Sequence, residues 1–297
     1  MPLTAIGGAS GTVTIGNETT GFFPEVLHPD VQAYVGAQAS VGYVMSVNEI
    51  DAVNNLVWAM IGSGLWDKMQ VVYPCIGNST TGANSFKWNL KNISTKNLVF
   101  TGAWTFASTG MQISTRSSAI FASTGYNAGI DGQFQNIHMG IYIRNFSTGS
   151  PNLGSAIAGY YRSSTSGGAG GVMITPGAAL NTAYGWCQNL GTTSGILSTS
   201  GVVGGLLTVT RSASIPNGLH TLNGLQRVGA ALGSGTAEPV GFNQIFTLGR
   251  ATIVAVTVTV DPQEFAFASI GRGFTRTDIQ NYYSIVQGFQ TKLGRQV

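Results

Sequence analysis

The chain has 297 residues, of which only 8% are Asp, Glu, Lys or Arg, and its formal net charge is +3. An average soluble domain has roughly a quarter of its residues charged, so this surface must consist largely of Ser, Thr, Asn, Gln and Gly. The positive charges are not clustered, which argues against a nucleic-acid partner, and no apolar run approaches the ~18 residues of a membrane span. With 42 glycines and 10% aromatic residues, the composition predicts many short strands joined by tight turns rather than disorder.

Residues 1–29 form a Gly- and Thr-rich segment without a periodic apolar face. Its one dense apolar spot is Phe22, Phe23 and Pro24. Burial of each phenylalanine would contribute roughly 1.5–3 kcal/mol. We therefore expect an N-terminal arm that attaches the domain to another subunit through these three residues, the alternative being an arm that packs along its own domain. Residues 30–44 fit either a short helix or a turn-rich lead-in.

Residues 46–61 carry the clearest helix signal. Ser46 and Glu49 have the spacing of a capping box, in which a hydroxyl and a carboxylate each satisfy an unpaired backbone N–H. Apolar residues then recur at three- and four-residue spacing until Gly62 and Gly64 end the helix. The pair Leu65-Trp66 is expected to pin this helix to a first strand over residues 69–73.

The middle of the chain is a succession of short strand patterns separated by Gly, Asn and Ser, which is typical of a β-sandwich. The predicted strands are residues 86–90, 98–106, 111–114, 118–121, 137–144, 156–161, 172–175, 184–187 and 206–210. In the 137–144 strand apolar residues alternate with His138, Gly140, Tyr142 and Arg144, which predicts one buried and one polar face. Asn223-Gly224 suits the positive φ angles of a type I′ hairpin turn.

Two strands and a closing helix are predicted at the end of the chain. A β-branched run over residues 253–260 is broken by Asp261 and Pro262, and a second strand covers residues 265–270. Phe265, Phe267 and Ser269 are expected on one of its faces. Thr275 or Thr277 can cap an amphipathic helix over residues 275–293, with Gly294 as its C-terminal stop.

This order of motifs resembles the laminin-G-like, concanavalin-A-like jelly rolls of bacteriophage virion proteins. The likeness is carried by Leu65 to Lys68, Val71 to Pro74, Asn84 to Lys91, Phe100 to Thr105, Phe265 to Gly271, Phe274 to Asp278 and Tyr282 to Arg295. The resemblance implies a mainly β, concanavalin-A-like (laminin-G-like) jelly-roll sandwich over residues 30–297. The N-terminal arm at residues 1–29, one helix near residues 46–61 and a C-terminal helix near residues 275–293, all predicted above, complete this architecture.

Jelly rolls also house glycan hydrolases, so the acids and histidines were weighed for catalysis. A retaining glycosidase needs two carboxylates about 5 Å apart, and no predicted strand carries two acids at alternate positions. Asp261 and Glu264 are expected as solvated turn carboxylates. His138 is expected to be exposed, or paired across strands on its polar face, and no nucleophile elbow accompanies it. No catalytic residue is therefore predicted.

A carbohydrate-binding function would depend on aromatic side chains. Tyr126, Tyr160 and Tyr161 are the candidate glycan-facing residues, with Trp88, Trp104 and Trp186 as further aromatic faces. In a Gly-rich sandwich such rings belong to the core more often than to a sugar site. Eleven scattered acids do not suggest a calcium site, and no cofactor or metal ligand set is predicted.

Cys75 and Cys187 are too few for a disulfide scaffold and are expected to be two buried free thiols. The N-terminus lacks the basic start and apolar block of a signal peptide, which fits assembly in a bacterial cytoplasm.

The lack of a catalytic residue set predicts a protein that is not an enzyme, and the resemblance implies a phage virion structural protein displayed on the particle as a head fibre, decoration protein or tail-fibre component. Homo-oligomers are expected, trimers before dimers, together with other virion proteins and, for an adhesive role, a host surface glycan. The alternatives are a carbohydrate-binding receptor protein that contacts the host surface and, third, a glycan hydrolase.

Overall fold

The computed structural model describes most of residues 26–127 and 262–297 and a set of strands between them. The described residues are 26–115, 117, 119–127, 131, 136–146, 158–162, 170–176, 182–187, 195–198, 204–226, 245–249, 252–253 and 262–297. Predictions made for residues 1–25 and 254–261 lie outside these ranges. None of the described helices is long and apolar enough to cross a membrane.

Four α-helices are described, α1 (Pro29–Ser40), α2 (Val47–Gly62), α3 (Ala83–Phe86) and α4 (Arg276–Lys292), together with a short 3-10 helix at Trp66–Lys68. The predicted capping box of α2 is confirmed, because Ser46 Oγ accepts from Glu49 N and Glu49 Oε2 accepts from Ser46 N at 2.7 Å. Helix α4 has the same device in Thr275 and Asp278. The ambiguous segment after residue 30 is a helix, whose N-cap is the His28 imidazole.

The strands, in chain order, are β1 (Met69–Tyr73), β2 (Val99–Thr101), β3 (Thr105–Ala107), β4 (Gly110–Ile113), β5 (Phe121–Asn127), β6 (Ile137–Phe146), β7 (Ala158–Arg162), β8 (Gly170–Pro176), β9 (Thr182–Cys187), β10 (Gly195–Ser198), β11 (Gly205–Ser212), β12 (Ile215–Leu222), β13 (Leu225–Gln226), β14 (Ile245–Leu248), β15 (Thr252–Ile253) and β16 (Gln263–Gly271). The predicted strand at residues 86–90 is wrong, because α3 ends at Phe86 and turns follow it.

The strands form two sheets. The first has the order β13-β12-β11-β6-β16-β4-β3, with β1 also paired to β16, and the second has the order β10-β9-β8-β7-β14-β5-β2. Every described pairing is antiparallel except that of β15 with β7. The predicted hairpin is confirmed: Asn223 and Gly224 have φ angles of 52° and 71° between β12 and β13.

The first sheet is buried on both faces. One face meets the second sheet in a core that includes Ile141 and Phe265 from the first sheet and Phe246 from the second. The opposite face meets α1, α2 and α4 in a second core that includes Tyr142 and Phe267. The chain is therefore a mainly β, antiparallel sandwich whose first sheet carries a helical layer on its outer face.

A bulge in β16 decides which side chains face the helices. The pairing of β16 with β6 shifts register between Glu264 and Phe267, and such a bulge moves the following side chains to the other face. Phe265 therefore faces the second sheet while Phe267 faces the helices. The predicted common face is therefore wrong for Phe265 alone. Phe267 and Ser269 both face the helices, and Ser269 Oγ forms a hydrogen bond with the Tyr282 hydroxyl of α4.

Candidate functional site

The predicted aromatic and attachment residues do not come together in the described part of the chain. Tyr126 is only 1% exposed and packs edge-on against Phe246 at 5.4 Å between ring centroids. This burial raises the pKa of the Tyr126 hydroxyl. The prediction that Tyr126 faces a glycan is wrong, because its ring belongs to the core. Tyr160 and Tyr161 lie on β7, opposite Thr252 and Ile253 of β15, but their side chains are outside the described parts.

The predicted attachment residues Phe22, Phe23 and Pro24 also lie outside the described residues. Residues 26–29, which the sequence analysis assigns to the same arm, are described and pack on α2. His28 N donates to Asn54 Oδ1 at 3.0 Å, and the His28 ring lies edge-on to Trp58 at 5.3 Å. The last four residues of the predicted arm therefore belong to the helical layer.

His138 lies at the centre of a buried hydrogen-bonded chain between β6, β16 and α4. Its Nδ1 is 2.7 Å from the carbonyl oxygen of Arg272, which only accepts, so Nδ1 carries the proton. Nε2 then accepts from Ser269 Oγ at 3.2 Å, and Ser269 Oγ accepts in turn from the Tyr282 hydroxyl at 2.7 Å. The imidazole also stacks on Phe274 at 3.8 Å. Every polar group in this series of hydrogen bonds has a partner, so the series holds α4 against the first sheet.

Burial also decides the charge of His138. The side chain is 0% exposed, and the loss of water lowers its pKa to about 3. The expectation of an exposed imidazole is wrong, because α4 covers the face of β6 that the alternation marks as polar. The pairing with Ser269 across strands is as expected. Ser269 is itself 0% exposed, so this serine and histidine are not open to a substrate.

The acids near the end of the chain are tied to basic side chains. Glu264 is in β16, not in a solvated turn, and receives two hydrogen bonds from Arg144 at 2.9 and 3.0 Å. Asp278 pairs with Lys68 while it caps α4. Burial raises the pKa of Asp278, but the hydrogen bonds from Lys68 and Thr275 outweigh this and lower it. Both carboxylates therefore have structural partners.

Arg295 joins the end of the chain to the residues that follow β1. Its guanidinium is 1% exposed and donates to the carbonyl oxygens of Cys75 at 2.8 Å and Pro74 at 3.1 Å. Burial lowers the pKa of this guanidinium to about 10, so it stays charged at neutral pH. Its Nε is buried without a protein acceptor. The predicted buried, free state of Cys75 is confirmed, whereas the Cys187 side chain is outside the described parts.

A cleft of about 250 Å³ lies beside Arg295. Its lining comes from the N-terminus of α2, the residue after Cys75, the β3–β4 turn and the chain after α4: Ser46, Asn48, Glu49, Ile76, Ser108, Thr109, Leu293 and Arg295. These segments are far apart in sequence, and only the fold brings them together. Within the described ranges, no three His, Cys, Asp or Glu side chains are grouped as metal ligands would be.

No family model and no curated protein matches the sequence. Solved structures do match. A mutant of Trypanosoma rangeli sialidase with trans-sialidase activity aligns with a TM-score of 0.54 and 7% identity, over 82% of this chain and 40% of that one. Trypanosoma rangeli sialidase itself gives 0.52 and 7%, over 80% and 39%. The receptor-binding domain of botulinum neurotoxin mosaic serotype C/D gives only 0.45, at 12% identity, over 74% and 51%, and no inference is drawn from it.

The sialidase matches support a jelly-roll-like β-sandwich fold, and this chain spans about two fifths of those proteins' length. They overturn the prediction that the chain is not an enzyme. That prediction relied on carboxylate spacing within single strands, and the fold proves to be one that occurs in sialidases, which are enzymes.

Proposed function

We propose that the chain is a phage virion structural protein whose concanavalin-A-like (laminin-G-like) jelly roll is displayed on the particle surface, as a head fibre, decoration protein or tail-fibre component. The proposal draws on the resemblance carried by segments such as Phe265 to Gly271, which lies in β16 of the first sheet, and Tyr282 to Arg295, which covers most of α4 and the residues after it. The sialidases described above are not virion proteins, so they support the fold of this proposal and not its virion role.

The observation that carries the attachment role is the exposed apolar surface where residues 1–25 join the helical layer. Val26 is 78% exposed and Trp58 is 45% exposed. Trp58 Nε1 donates to the Val26 carbonyl oxygen at 3.3 Å, which places the two residues side by side. Tryptophan is enriched where proteins contact each other. The surface formed by Val26 and Trp58 is thus suited to a neighbouring subunit, and it lies where the described part of the chain begins.

Deletion of residues 2–25 tests this role, because it leaves His28 and its contacts with α2 intact. We expect the shortened protein to stay folded, with an unchanged unfolding midpoint, but to lose its trimeric or dimeric state in light scattering and to fail to enter particles. Trp58→Ala should weaken assembly in the same direction. Val99→Ala, at a 64% exposed valine on the second sheet, is the matched control and should not. Normal incorporation of the shortened protein would show that the anchoring role is wrong.

The second candidate is a carbohydrate-binding protein that contacts the host surface. It is supported by the fold shared with sialidases, one of which is solved with sialic acid, and by the polar cleft beside Arg295. Binding to a glycan array separates this role from a purely structural one. Sugar release from host polysaccharide would instead indicate the third alternative, a glycan hydrolase, and the same purified protein serves both assays.

A further inference from the structure

We infer that the cleft between the N-terminus of α2 and the β3–β4 turn binds one neutral sugar residue. The inference builds on the carbohydrate-binding candidate above and names its site and ligand class. Ser108 and Thr109, which carry hydroxyls, line the cleft together with Ser46 and Asn48, whose side chains also bond to Glu49 and to the Lys292 carbonyl oxygen, respectively. A sugar ring offers hydroxyl groups that both donate and accept hydrogen bonds, which suits such a lining.

Glu49 supplies a positioned acceptor. Its carboxylate receives hydrogen bonds from the Tyr43 hydroxyl at 2.6 Å, from Ser46 N at 2.7 Å and from Ser46 Oγ at 2.9 Å. A carboxylate has about four acceptor positions, so the three bonds hold the group in place and leave room for one more donor. A hydroxyl of the ligand can occupy that position without any movement of α2.

Arg295, which also lines the cleft, has one donor without a protein partner. Both terminal nitrogens are committed to the carbonyl oxygens of Pro74 and Cys75, while Nε has no protein acceptor although it is buried. A buried donor without an acceptor costs roughly 1–3 kcal/mol, which favours an oxygen atom beside it. A water between Nε and a sugar hydroxyl satisfies this donor, since buried polar groups are commonly paired through ordered water.

Charge and size select the ligand. Glu49 and Arg295 carry opposite charges, so the cleft has no net charge to balance. An acidic sugar would bring its carboxylate close to Glu49, while each terminal nitrogen of Arg295 already donates to a backbone carbonyl oxygen. At about 250 Å³ the cleft is smaller than the roughly 300–1,000 Å³ of sites for drug-sized molecules. One sugar ring is a suitable occupant, with Ile76 and Leu293 as contacts for its C–H face.

The test uses methyl glycosides of glucose, galactose, mannose and N-acetylglucosamine, with sialic acid as the acidic comparison, in NMR titrations of the full chain. We expect at least one neutral glycoside to bind. Ser108→Ala with Thr109→Val removes two hydroxyls and should weaken binding about thirtyfold, at about 1 kcal/mol for each of the two lost hydrogen bonds. Ser94→Ala with Thr95→Val, a Ser-Thr pair on another exposed turn, is the matched control and should bind as the original chain does.

Three results would overturn the inference. If Ser108→Ala with Thr109→Val binds sugar with unchanged affinity, the sugar site lies outside the cleft, and the carbohydrate-binding role stands. Tighter binding of sialic acid than of every neutral glycoside would reject the ligand class. If the unaltered chain binds neither these glycosides nor any glycan on an array, both the site and the carbohydrate-binding role fail. Equal unfolding midpoints of the two double variants ensure that a loss of binding is not a loss of fold.

Discussion

Acidification should destabilise the protein through His138. Its pKa is about 3 in the folded chain, against about 6.5 for an unperturbed histidine. The unfolded chain therefore binds a proton below about pH 6.5 that the folded chain does not bind until about pH 3. The neutral imidazole contributes its full stability above the unfolded pKa, and that stability falls as the pH falls through this window.

The size of the effect follows from the two pKa values. Between about pH 7 and pH 4.5 the free energy of unfolding should fall by roughly 2.5 kcal/mol on account of His138 alone. Lys68 and Asp278 also act on this imidazole, and a protonated Nε2 can no longer accept the hydrogen bond from Ser269 Oγ. Asp278 has a lowered pKa of its own, so a range that ends at about pH 4.5 keeps its titration small.

Urea unfolding at several pH values, for the original chain and for His138→Gln, measures this contribution. The variant keeps every other titrating group, so the difference between the two proteins isolates His138. The variant should be less stable near pH 7, and the gap should narrow by roughly 2.5 kcal/mol at about pH 4.5. A gap that stays constant with pH would refute the reasoning, since it would mean that His138 takes up its proton equally in both states.

Three further predictions concern stability and reactivity. Ser46→Ala should lower the free energy of unfolding by about 1 kcal/mol through loss of the α2 cap, measured in urea. Glu264→Gln should lower it by roughly 1.5–3 kcal/mol, because one side of the pair with Arg144 loses its charge, and the effect should shrink in high salt. Cys75 should not react with a thiol reagent in the folded chain, because burial raises its pKa to about 12, and reducing agent should leave the melting temperature unchanged.

Each of these has a control or a contrary result. Ser94→Ala, on an exposed turn, should lower the free energy of unfolding far less than Ser46→Ala does. Equal losses of stability would show that the Ser46 cap does not stabilise α2. If Glu264→Gln is as stable as the original chain, the pair of Glu264 with Arg144 does not stabilise the fold, as the sequence prediction of a solvated carboxylate implies. A drop of several degrees in reducing agent would reveal a disulfide, whose loss typically costs about 2–5 kcal/mol.

Local signals predicted the elements whose stability is local. The capping residues Ser46 and Thr275 and the turn at Asn223 satisfy nearby backbone groups, so a few neighbouring residues determine their conformation. The face that each side chain of β16 occupies could not be predicted from sequence. The bulge near Phe265 arises from pairing with a strand about 120 residues away, and the alternation of apolar residues does not indicate it.

The expected exposure of His138 and the expected solvated turn at Glu264 failed because the residues that cover or pair with these side chains are distant in sequence. Alternation predicts a polar outer face for a sheet with one solvated side, but α4 covers that side, so His138 is buried with its partners. The sequence prediction starts the last strand at residue 265, whereas β16 begins at Gln263 and therefore includes Glu264. The partner of Glu264, Arg144, is distant in sequence. The cleft could not be predicted at all, since Glu49, Thr109 and Arg295 carry no shared motif and meet only in the folded chain.

Electron cryomicroscopy of whole particles tests the central proposal most directly. Our account predicts repeated density on the particle surface into which the two-sheet sandwich and its helical layer fit, with the start of α1 facing the neighbouring subunit. Particles that contain no copy of the chain, by density and by mass spectrometry of their purified proteins, would contradict the virion role.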